Sequence, residues 1–137
     1  MFRYVRVQDG EPLPDVGDLK PFKAIVVIED RPSREWQTQA SSWLVDSGCL
    51  YMMAWGDDCG SWDDSVDMAH LEAFDFVDSP DEEFVMTTWH DSDSLEDTFR
   101  FAKASAQHPT VKLNNVLILH VGADDKHARL DTIFQKA

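Results

Sequence analysis

Hydrophobic positions along the chain come in two rhythms that take turns. Short unbroken apolar runs lead through polar turns into stretches where apolar residues recur every three or four positions. The first rhythm marks strands buried on both faces, and the second marks helices with one buried stripe. Pro21 to Ile28 is the first long apolar run, and it stops at Glu29-Asp30. Ser33 is placed to cap a helix reaching about Ser47, with Trp36, Ala40, Trp43 and Leu44 on one face and Gly48 as terminator. Cys49 to Trp55 is the second core strand. Gly56 to Gly60 is a turn, and Ser61 is positioned to cap a helix from about Trp62 to Ala73. After an acidic loop, Phe84 to Trp89 is the third core strand. A helix follows with Leu95, Phe99, Ala102 and Ala106 inward. Val116 to Val121 is the fourth core strand, and a last helix turns Leu130, Ile133 and Phe134 inward.

Ahead of this series, Arg3 to Val7 alternates polar and apolar residues, as a strand with one wet face does. Gln8 to Lys20 carries prolines and glycines and reads as loop. The expected fold is α/β: a three-layer doubly wound sheet with four parallel core strands plus an N-terminal edge strand. It forms a single α/β domain over residues 1–137, with edge strand and loop in 1–20 and the alternating core in 21–137. The expected order of the core sets the second core strand, then the first, third and fourth side by side. The switch point would then separate Ala24–Ile28 from Phe84–Trp89. Ligands in such sheets sit beyond the carboxyl ends of the strands at that crevice. The candidate crevice residues are therefore Glu29, Asp30, His90, Asp91 and Asp93.

Charge changes this picture most. The net charge is −14. The 65 residues between Arg34 and Arg100 contain no Lys or Arg and 17 acidic residues, while the rest of the chain holds 12 basic and 9 acidic. Nucleic acid would be repelled by such a surface, and a basic protein or a bound cation would be attracted; the plain alternative is that the acidity serves solubility. No apolar run approaches a membrane span, and the N-terminus lacks the apolar core of a signal peptide. A cytoplasmic protein is expected, with Cys49 and Cys59 as free thiols. Cys59 beside Asp57 and Asp58 is a poor nucleophile, because neighbouring carboxylates favour the protonated thiol. His90 and His120 read as hydrogen-bonded structural histidines.

No G-x-G-x-x-G or Walker loop follows any strand, so no nucleotide cofactor is expected. The acidic strand ends could instead hold Mg²⁺, which takes one or two carboxylates plus water. Glu29 after one strand and Asp91-Ser92-Asp93 after a later one resemble the Toprim arrangement over about Phe22 to Asn115. That resemblance implies Glu29, Asp91 and Asp93 as metal ligands or general base. Arg31-Pro32 and the lack of glycine after Asp93 depart from the Toprim pattern. The pair Glu29-Asp30 also resembles the acidic pair of receiver domains, with Asp91 and Lys126 loosely at the phosphoacceptor and lysine places. The local alternative is structural: Asp93 and Glu96 have capping-box spacing.

Five tryptophans are present. Trp55, Trp62 and Trp89 flank the acidic turns, where Trp55, Asp57, Asp58, Trp62, Asp63, Asp64 and Trp89 make a candidate interaction surface. The leading expectation is a small acidic, non-catalytic interaction or inhibitor module for a basic protein partner, comparable in charge and size to immunity proteins. The alternative is a Mg²⁺-dependent phosphoryl-transfer or phosphodiester-cleaving domain.

Overall fold

The computed structural model describes residues 1–137. Its strands are β1 (Phe2–Val7), β2 (Phe22–Ile28), β3 (Cys49–Gly56), β4 (Met86–Trp89) and β5 (Asn115–Val121). Its helices are α1 (Arg34–Ser47), α2 (Cys59–Ala73), α3 (Leu95–Ala104) and α4 (His127–Lys136). The five strands form one all-parallel sheet in the order β1-β5-β2-β3-β4. This is the three-layer α/β arrangement expected from the alternation of runs, with β1 at an edge. No helix is long and apolar enough to cross a membrane.

The order of the core differs from the expected one. β5, not β4, lies beside β2. Strand chemistry accounts for the difference. β4 is four residues long, contains Thr87 and Thr88, and has no buried position. A central strand is covered on both faces and paired on both edges, which suits β5, buried at six of its seven residues. The half-wet strand goes to the edge.

Crossover handedness then fixes the layers. The chain steps from β2 to β3 to β4 in one direction, so right-handed crossovers put α1 and α2 on one face. It returns across the sheet to reach β5, and α3 and α4 lie on the other face. Alternate residues of β2 serve the two cores. Ala24, Val26 and Ile28 pack with Trp36, Leu44, Trp62 and Val66. Ile25 and Val27 pack with Phe99, Leu130 and Phe134. The Val, Leu, Ile and Phe side chains among these contribute about 1.5–3 kcal/mol each when fully buried.

Helix starts set the loops at the carboxyl end of the sheet. Ser33 caps α1 by accepting from the Trp36 N–H at 3.2 Å, and Gly48 ends it at φ +104°. α2 starts at Cys59, earlier than expected, behind Asp58 at φ +54°. Ser61 does not cap it but donates to the Asp58 carbonyl at 2.8 Å. Ser94 caps α3 by accepting from the Asp97 N–H at 3.1 Å, so the Asp93–Glu96 box is not made and Asp93 is released for another partner.

Candidate functional site

The true switch point lies between β2 and β5, and the residues that end these strands meet there. Glu29 follows β2, and His120 is the penultimate residue of β5. His120 is fully buried, and its Nε2 is hydrogen-bonded to Glu29 Oε1. On the other side of the ring, Nδ1 lies 2.6 Å from the Tyr4 hydroxyl of β1. The Tyr4 oxygen accepts the Lys126 backbone N–H at 3.0 Å, which leaves its own proton for His120 Nδ1. His120 Nδ1 then serves as the acceptor, and its Nε2–H faces the carboxylate. The second Glu29 oxygen is ion-paired with the Lys126 ammonium at the start of α4. Tyr4 also stacks on His127, with centroids 4.7 Å apart. Three strands and the start of a helix are thus tied by one chain of polar side chains.

The electrostatics follow from this enclosure. Partial burial pushes the Glu29 carboxyl up, but Lys126 and His120 pull harder, and the net shift is downward. Burial pushes the Tyr4 hydroxyl up, against the pull of the Lys126 N–H. A depressed folded pKa means that the unfolded chain binds the Glu29 proton more readily. The Glu29 contribution to stability is therefore complete above the ordinary carboxylate value of about 4.3. It is lost as the pH falls through the lower folded value. Denaturant titrations of wild type and Glu29→Gln should show a stability gap that closes on acidification below about pH 4. A gap that stays constant down to low pH would show that the ionised carboxylate contributes nothing.

The other expected crevice residues do not join this group. β3 separates β2 from β4, so Asp91 and Asp93 do not flank Glu29. Asp91 is exposed, and its carboxylate accepts only from its neighbour Ser92. Asp93 accepts from His90 Nδ1 at 2.9 Å, and His90 Nε2 lies 2.9 Å from the Thr88 hydroxyl. Both histidines at the strand ends are therefore hydrogen-bonded through both ring nitrogens. Asp30 accepts the Ala123 N–H at 3.1 Å and braces the turn after β5. No group of three His, Cys, Asp or Glu side chains is arranged to hold a metal ion.

The expected interaction residues divide between core and surface. Trp62 is core, set edge-on to Trp36 at 6.5 Å. Trp55 is half-buried and donates its Nε1–H to the Asp93 carbonyl at 2.8 Å. Trp89 is 53% exposed. Asp57 pairs with Arg31 at 2.8 Å, and Asp58 and Asp64 are exposed. Asp63 is buried. Cys59 is buried as well, and burial raises its thiol pKa, as it does for Cys49, pushed up to about 12. Neither thiol is a ready nucleophile.

A cleft of about 650 Å³ separates the first turns of α1 and α2, lined by Arg31, Pro32, Arg34, Gln37, Asp58 and Asp64 among others. It carries both signs of charge and selects neither.

A family model described as a domain of unknown function, DUF7684, matches residues 2–137. The chain belongs to that family. No curated protein and no solved structure matches it. In this DUF7684 chain the residues that sequence reasoning missed are Tyr4, Gly122 and the ion-pairing role of Lys126. A β-carbon on Gly122 would sit 2.9 Å from His120 Nε2 and 3.3 Å from Glu29 Oε1, so a glycine here makes room for buried His120 and its carboxylate partner. The available signal was a Gly directly after an apolar strand that ends in His-Val.

Proposed function

We propose that this protein is a non-catalytic acidic interaction module that binds and inhibits a basic protein partner through the side of the molecule formed by α2 and β4. One observation carries the reading. Met1 apart, the exposed large apolar side chains are Met68, Leu71, Phe76, Val77, Phe84 and Trp89, and all fall inside the interval without Lys or Arg. Phe76 and Val77 are 64% and 67% exposed. Apolar anchors set among like charges suit a partner of opposite charge. The anchors supply affinity, and the charges steer approach and reject other partners. The free edge of β4 lies on the same side. The charge argues against a nucleic-acid partner. A cytoplasmic location fits two unpaired cysteines.

The alternative, a Mg²⁺-dependent phosphoryl-transfer site, needs Glu29, Asp91 and Asp93 to act together. The strand order sets them apart, and Glu29 is already held by Lys126 and His120. Affinity capture from native lysate, with the bound proteins identified, tests the two readings. The expected catch is a basic protein released by salt, with capture weakened about 30-fold by Trp89→Ala if that side chain is an interface hot spot. Retention indifferent to both salt and Trp89→Ala would sink the interaction reading. Saturable Mg²⁺ stabilisation lost in both Glu29→Gln and Asp91→Asn would replace it with the metal reading.

A further inference from the structure

On the seam between α2 and β4 lies a carboxylate that the protein itself does not satisfy. Asp63 is only 7% exposed, and its Oδ2 is buried with no hydrogen-bond partner. It lies against Asp67, one helical turn on, and against Thr87 of β4. Thr87 gives its hydroxyl proton to Asp67 Oδ1 at 2.8 Å. No cation is within ion-pairing reach of either carboxylate. The surroundings are acidic or neutral from every side. On α2 itself stand Asp64, Asp67 and His70. β3 and β4 carry no Lys or Arg. The one cation of α1, Arg34, lines the cleft on the Asp64 side. Burial first, and then the Asp67 charge, push the Asp63 carboxyl above the ordinary range.

Two adjacent carboxyls, one of them buried, with no counter-ion do not both stay ionised. Such a pair holds a proton or a cation. Asp67 is exposed, so the pair is reached from solvent through it. Two of the exposed aromatic groups stand near this seam. Phe84 packs edge-on to His70, with centroids 5.3 Å apart, and Trp89 is close to Gly60.

We propose that Asp63 and Asp67 form the cation seat of this face: the free protein holds one proton between the two carboxyls, and a lysine or arginine side chain of the basic partner displaces it. This rests on the interaction reading above and specifies its anchor. On docking, the carboxyl O–H breaks and the proton passes to a buffer base. Two carboxylates then face one ammonium or guanidinium. Arginine fits best, because its planar fork can span two acceptors.

Two measurements test it, the first without any partner. Carbon-13 carboxyl titration of the free protein should show Asp63 keeping its proton to a higher pH than exposed Asp64, and Asp67→Asn should lower the Asp63 midpoint. The second uses a nona-arginine peptide in titration calorimetry, below the measured Asp63 midpoint, in two buffers of different ionisation enthalpy. About one proton should be released per peptide bound, and Asp63→Asn should abolish the release and weaken binding at least about tenfold, as loss of a buried charge partner does. The exposed-site control Asp64→Asn should keep the release. Above the measured Asp63 midpoint, Asp63→Asn should also raise the melting temperature, because an amide donates to Asp67 where an ionised carboxylate repels it. If Asp63 titrates with Asp64, the seat is wrong and the interaction reading is untouched. Peptide binding without proton release, unaffected by Asp63→Asn, likewise removes the seat alone. A high Asp63 midpoint with no peptide binding at low salt counts against both.

Discussion

Replacing His120 with leucine is expected to destabilise the protein by about 2–4 kcal/mol, the sum of a lost bond to a carboxylate and a stranded hydroxyl donor. For a chain of this size that lowers the melting temperature by roughly 10 °C. Leucine fills a similar space and suits a buried position, so loss of packing is not the main cause. The cost comes from the partners. Tyr4 keeps the Lys126 N–H as a donor but loses the acceptor of its own proton. Glu29 keeps Lys126 and loses the imidazole N–H. The diagnostic result is the double variant Tyr4→Phe/His120→Leu. Removing both ends of a buried hydrogen bond costs less than stranding one, so the double variant should be less destabilised than the sum of the singles. Strict additivity, or a His120→Leu change under about 0.5 kcal/mol, would mean that the chain from Tyr4 to Lys126 is not a unit.

Gly56→Ala is expected to be at least as damaging, at about 2–5 kcal/mol. Gly56 ends β3 at φ +111°, where a side chain is strained in any surroundings. Its β-carbon would also overlap the Ile28 carbonyl oxygen, so the backbone of β2 has to move. That oxygen accepts the Asp57 N–H at 2.9 Å, and the bond holds the β3–α2 turn against the end of β2. Displacement would therefore reach the acidic turn as well as the sheet. Gly10→Ala provides the control. Its φ is +82°, but nothing lies within 4 Å of the new carbon, so only the strain remains, about 1–2 kcal/mol. Equal effects at the two glycines in denaturant unfolding would remove the steric part of the argument.

Much of the fold was legible because buried parallel strands and amphipathic helices have different periods. Ile25-Val26-Val27-Ile28 reads as strand whatever lies beside it, and Ser33 and Gly48 bracket α1 by their own backbone chemistry. Strand order was less accessible, because it depends on which strand tolerates an edge. The two threonines of β4 held that information, and the expected order gave them too little weight. The site followed the order. Glu29 was correctly placed beyond a strand end, but its neighbours are His120 and Lys126 rather than Asp91. Tyr4 was not foreseen, because a tyrosine in an alternating edge strand reads as surface until β5 is set beside it. The buried state of Asp63 was only half legible. The helical period puts it on the inward stripe of Cys59, Trp62, Val66, Ala69 and His70, but an aspartate on that stripe reads as its wet rim until β4 is set against it.

The placement of β5 between β1 and β2 has a consequence for how the chain assembles. β1 pairs with nothing but β5, so Phe2 waits for Val116. β2 gains its second neighbour only when the same strand arrives. During synthesis the most apolar strand of the protein therefore presents one open edge through the appearance of three helices and two further strands. Parallel pairings closed over such sequence distances are slow, and unpaired strand edges are where chains adhere to one another. Ribosome-bound chains halted before Asn115 should hold β1 unpaired and be prone to aggregation on release, whereas chains extended past Val121 can close the sheet in one insertion.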